Sequence, residues 1–94
     1  MVLLQIEHPV PVYNAWKSAF DCDPVHRIEA GVRRYATFRP IDDPNYVIIH
    51  LEFDQLSDAS ALLATLHKLW ERVEGKIILN PKTRIVEMLD NEAY

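Results

Sequence analysis

The chain is predicted to adopt an α+β fold: a four-stranded antiparallel sheet carrying two helices on one of its faces. Three observations predict it. Apolar and polar residues alternate with strand period in four segments, and apolar residues recur at three- and four-residue spacing in two others. The turn-forming breaks between them (Pro9/Pro11, Asp23-Pro24, Gly31, Pro40 to Pro44, Gly75 and Asn80-Pro81) set the order strand, helix, strand, strand, helix, strand.

Val2 to Glu7 is the first strand, with Val2, Leu4 and Ile6 on one side and Leu3, Gln5 and Glu7 on the other. Pro11 to Phe20 follows as a helix, because Val12, Trp16, Ala19 and Phe20 share a helical face and proline suits a first turn. Asp23-Pro24 ends it, and Val25 to Glu29 is long enough for one further helical piece. Val32 to Arg39 is the second strand. Its alternation puts Val32, Arg34, Ala36 and Phe38 on the helix side and Arg33, Tyr35, Thr37 and Arg39 opposite. Arg34 would then run its apolar stem along the edge of the covered face.

The turn residues from Pro40 to Asn45 predict a hairpin into Tyr46 to Phe53, whose β-branched residues support a strand. Val47, Ile49, Leu51 and Phe53 form its apolar side; Tyr46, Ile48, His50 and Glu52 form the other. Ser57 to Val73 is the longer helix. Ala59, Leu62, Leu66, Trp70 and Val73 lie on its stripe, Ser57 or Asp58 is placed to cap it, and Gly75 to stop it. Arg84 to Leu89 is the last strand, with Val86 and Met88 inward and Ile85, Glu87 and Leu89 outward. This order is the split βαβ, ferredoxin-like arrangement, and residues 1–94 are expected to form one such domain.

Composition narrows the function. The chain has 94 residues, 49% of them hydrophobic, with ten basic and fourteen acidic residues for a net charge of −4. That balance disfavours nucleic acid and anionic membranes as partners. No apolar run is long enough to span a bilayer, and no secretory leader pattern opens the sequence. With a single cysteine, Cys22, the expected compartment is cytoplasmic. The four histidines lack paired-ligand spacing, so no metal is expected.

Both helices need the same sheet face, so the other face lies open. Leu3, Ile48, Ile85 and Leu89 on that face would not be left to water, and Glu7, Glu52 and Arg33 would not suit a dry core. A partly enclosed cavity under a second copy of the sheet accommodates both sets.

Several segments carry a resemblance to a known family. They are Leu3-Leu4-Gln5-Ile6-Glu7-His8, Ala15-Trp16-Lys17 with Phe20-Asp21, Gly31-Val32-Arg33-Arg34-Tyr35, Asp42-Asp43-Pro44-Asn45-Tyr46 and Leu51-Glu52-Phe53. With them the chain resembles the dimeric α/β-barrel superfamily, in particular its antibiotic-biosynthesis-monooxygenase-like members and small actinobacterial proteins of unassigned activity. The resemblance implies a homodimer packed sheet to sheet and a small-molecule ligand handled without any cofactor. The haem-degrading branch fits poorly: Gln5 stands where those proteins carry asparagine, and His67 and Trp70 come in the reverse order.

His50 and Glu52 are the sharpest catalytic candidates, two residues apart on one strand and therefore about 7 Å apart on one face. A carboxylate beside an imidazole can orient it as a general base. Gln5 and Glu7 would flank them on the neighbouring strand, with Arg33 and Tyr35 beyond, as ligand-binding residues. The alternative is a polar face that only sets the register of a dimer, in an interaction or effector-sensing domain.

Overall fold

A computed structural model describes residues 1–94. Its elements are β1 (Val2–Pro9), α1 (Tyr13–Asp21), β2 (Val32–Phe38), β3 (Tyr46–Phe53), α2 (Leu56–Val73) and β4 (Lys82–Glu87). The strands form one antiparallel sheet in the order β2-β3-β1-β4. This is the ferredoxin-like βαββαβ fold expected from the segment order. No helix is long and apolar enough to cross a membrane.

The core follows from two periodicities meeting. Leu4 and Ile6 of β1 and Val47, Ile49, Leu51 and Phe53 of β3 all point to the helix side and are buried. Ala59, Leu62, Leu66 and Trp70 of α2 and Trp16 of α1 pack onto them. Each such large side chain contributes about 1.5–3 kcal/mol through burial.

Helix ends differ from expectation in instructive ways. α1 starts at Tyr13 because Val12 is still extended, and α2 starts at Leu56 with Gln55 at its N-cap; neither has a side-chain cap. Asp58 therefore sits inside the first turn of α2, where a carboxylate favours the helix dipole. It also lies against Gly31, whose φ of +101° is one that glycine adopts without strain. Gly75, at φ +89°, follows the end of α2 as anticipated. Residues 25–29 form turns instead of a helix, with one α-type bond from Ala30 N–H to His26 O at 3.0 Å.

Two strand faces are reversed. At β2, Val32 pairs with Phe53 but Arg34 pairs with Glu52, so Arg33 is the extra residue of a β-bulge. Beyond the bulge every side chain changes side: Arg34, Ala36 and Phe38 lie on the open face, and Tyr35 and Thr37 on the helix side. At β4, Ile85 pairs with Leu4 and Val86 with Leu3. Ile85 therefore packs on the core, while Lys82, Arg84 and Val86 join the open face.

Candidate functional site

The six residues proposed from sequence divide between the two sides of the sheet. Gln5 and His50 are directly opposite one another on β1 and β3, and Glu52 lies opposite Leu3, so these three share the open face. Glu7 joins them, accepting a 2.7 Å hydrogen bond from the Tyr46 hydroxyl. That bond holds the Tyr46 proton and raises its pKa above the ordinary value of 10.0. Arg33 and Tyr35 are not part of the group. Arg33, pushed out by the bulge, pairs with exposed Asp54 at 2.7 Å. Tyr35 crosses to the helix side and meets the edge of Phe20, ring centroids 5.2 Å apart.

Arg34 takes the place expected of Arg33. Its Nε lies 2.9 Å from Glu52 Oε2, and Glu52 is buried while Arg34 remains largely exposed. His50 contacts the ring of Phe38 edge-on at 5.0 Å rather than Glu52. The open face thus holds ion-paired and hydrogen-bonded side chains between the apolar groups Leu3, Ile48, Phe38 and Val86.

An apolar cavity lies on the other side of the sheet. It measures about 130 Å³ and is lined by sixteen residues, thirteen of them hydrophobic. Ile6, Ile49 and Leu51 form its floor on the sheet. Trp16, Ala19 and Phe20 of α1 wall one side, and Leu66, Leu69, Trp70 and Val73 of α2 the other. The segment after α2 closes an edge with Ile77 and Ile78, held by Leu79 N–H donating to Pro9 O at 3.1 Å. Pro24, Val25 and Arg27 come from the loop between α1 and β2. Asp23 and His26 take positive φ there, and Asp23 Oδ1 accepts the Arg27 backbone N–H at 2.9 Å. The loop is bent back over the cavity by these local bonds.

His8 is the titratable group built most deeply into that wall. It is 1% exposed, and its Nδ1 donates to Pro9 O at 3.0 Å. A carbonyl accepts only, so the proton resides on Nδ1 and Nε2 carries the lone pair of a neutral ring. Burial in apolar surroundings lowers its pKa from 6.5, and the bond to Pro9 opposes this only in part. Trp16 meets His8 edge-on at 6.3 Å and stacks on Phe20 at 5.2 Å. His8 continues the inward parity of Leu4 and Ile6, so the alternation of β1, carried one residue past Glu7, was the signal for it.

The lowered pKa has a thermodynamic consequence. Below pH 6.5 the unfolded chain takes up a proton at His8 that the native chain refuses, so stability falls with pH until native His8 also protonates. Above 6.5 its contribution is flat. The expected slope is at most about 1.4 kcal/mol per pH unit. Urea unfolding on either side of that pH, compared between wild type and His8→Leu, isolates the share due to His8. An equal acid-side loss in the variant would place the titration elsewhere.

The fold is shared with solved proteins of low sequence identity. A candidate antibiotic biosynthesis monooxygenase from Nitrosomonas europaea superposes with a TM-score of 0.72 at 21% identity, over 96% of this chain and 100% of that one. SnoaB, a cofactor-independent oxygenase from Streptomyces nogalater, gives 0.76 at 14% identity, covering 96% and 94%. A dimeric ferredoxin-like protein from an uncultured marine organism gives 0.67 at 8% identity, covering both chains fully. The sequence itself matches no protein-family profile and no curated protein. The chain is therefore similar in fold, over nearly all its length, to antibiotic-biosynthesis-monooxygenase-like and dimeric ferredoxin-like proteins.

Proposed function

We propose that this chain binds a small aromatic or otherwise apolar molecule between its sheet and helices, as a cofactor-independent, monooxygenase-like protein. The observation that carries the reading is the helix-side cavity, apolar over most of its wall and bearing the neutral imidazole of His8. Such a pocket, with few polar groups, is the usual form of a small-molecule site. His8 Nε2 keeps its lone pair near neutral pH, and a bound phenol or enol that gives it a proton leaves an anion beside the imidazolium, which offsets the burial that otherwise disfavours that charge. The electron-rich anion left behind reacts with O2 using its own electrons: a phenol and O2 give a quinone and water, with no external reductant. The fold's similarity to a cofactor-independent oxygenase supports this chemistry by analogy.

The open face has a different role in this reading. Residues 1–94 act as one cytoplasmic unit that pairs with a second copy of itself through that face. Glu52, Arg34, His50, Gln5 and Glu7 set the register of the pairing, which favours the interface alternative for the catalytic pair His50 and Glu52. The similarity to a protein described as dimeric supports it, as do the four apolar groups interleaved with those polar ones.

Benzyl alcohol tests the cavity. Isothermal titration is expected to show saturable binding to wild type, and loss of at least about tenfold in affinity in Ala19→Leu, which fills the cavity from α1. Val25→Phe fills it from the loop and guards against a folding defect in the first variant. Binding unaffected by both substitutions would place the ligand elsewhere.

A further inference from the structure

Arg27 is the one charged side chain among the sixteen cavity residues. It is poorly exposed for an arginine, at 13% of its side-chain surface. Its guanidinium lies 4.0 Å from the centroid of the Phe20 ring and 4.9 Å from that of Tyr35. Nη1 donates to Phe20 O at 2.9 Å and stands 3.6 Å from Asp23 Oδ1. Both polar contacts use Nη1, so Nε and Nη2 keep their donors in a fork suited to a planar anion. Asp23 stands beyond hydrogen-bond reach of Nη1 at 3.6 Å, its Oδ1 being engaged by the Arg27 backbone N–H at 2.9 Å, so it lies near the guanidinium without occupying its fork.

Size and aromatic lining limit the rest of the ligand. An apolar cavity of about 150 Å³ holds one benzene ring, and this one measures about 130 Å³. Trp16 and Phe20 stand between His8 and Arg27 as a stacked pair and line the space a flat guest would enter.

We propose that the cavity selects a monocyclic aromatic bearing an anionic group such as a carboxylate, with the Arg27 guanidinium as its counter-ion. This rests on the cavity reading above and adds the charge and ring number of the ligand. The loop from Asp23 to Gly31 then acts as a specificity element, because its local bonds fix Arg27 on the cavity wall.

Benzoate and benzyl alcohol, equal in ring and different in charge, are the probes. Titration calorimetry gives the affinities, and emission from Trp16 and Trp70, the only two tryptophans, reports occupancy because both line the cavity. Wild type is expected to prefer benzoate. In Arg27→Gln the ratio of benzoate to benzyl alcohol affinity is expected to fall at least about tenfold, the order of a lost charged pair. Arg27→Lys, which keeps the charge without the fork, is expected to fall between. If Arg27 merely braces Phe20 and Tyr35, Arg27→Gln weakens both probes alike, the ratio stays constant, and the proposal is overturned. If neither probe binds wild type, the cavity reading itself fails, and the proposal with it.

Discussion

Phe53→Ala is expected to lower the free energy of unfolding by about 3–5 kcal/mol, the usual cost of deleting a buried phenylalanine ring. Phe53 is completely buried and is the largest side chain in the molecule of which that is true. It ends β3, opposite Val2 on β1 and Val32 on β2, and so fills the space where three strands meet the helices. Those strands are held in register by backbone hydrogen bonds and cannot close over the vacancy. A domain of this size has about 5–15 kcal/mol in total, so the substitution removes much of the margin. Urea unfolding followed by circular dichroism should show a lower midpoint with an unchanged slope. A loss below about 1 kcal/mol would mean that the ring is not confined as described.

If two copies pair through the open face as proposed, Ile48→Arg is expected to separate them. Ile48 lies in the middle of the open face, flanked across the sheet by Glu7 on β1 and Phe38 on β2. In a two-fold sheet-to-sheet dimer each substitution appears twice, so two guanidinium groups displace apolar contacts in one interface, each with only Glu7 of its own sheet, already bonded to Tyr46, beside it. Like charges brought together there cost several kcal/mol, enough to raise the dissociation constant at least about 100-fold. Light scattering after gel filtration should give wild type near twice the 10.9 kDa protomer mass and the variant near one protomer. Circular dichroism should be unchanged, since Ile48 belongs to the face away from the core. Wild type running as a monomer at micromolar concentration would defeat the dimer reading outright.

The candidate site was less legible than the fold. His50, Glu52, Gln5 and Glu7 share a face because alternation on an unbroken strand leaves no choice, and both β1 and β3 are unbroken. Tyr35 and Arg33 leave the open face because the bulge lies between Val32 and Arg34, and nothing in Gly31-Val32-Arg33-Arg34 marks it. Either arginine could answer Glu52 on charge alone; the pairing register selects Arg34. β4 reversed for a related reason. Its run from Lys82 to Leu89 reads plausibly in either parity, and only pairing with β1 puts Ile85 beside Leu4.

The cavity was hidden for another reason. Its walls are largely the Leu, Ile and Trp residues that helical stripes and strand alternation assign to the core, and either pattern has the same spacing whether the core closes completely or leaves a void.

What the sequence by itself determined is the set of elements and their order, because hydrophobic period, turn residues and chain length act within short stretches of chain. From those came the ferredoxin-like sheet, its helix-covered side and its uncovered one. Tertiary structure alone decided which arginine meets Glu52, where Tyr35 points and that His8 and Arg27 share a wall. Each of these depends on strand register or on the fit of elements distant in sequence. A one-residue slip moves a whole strand to the other face, and a void is a property of surfaces that meet.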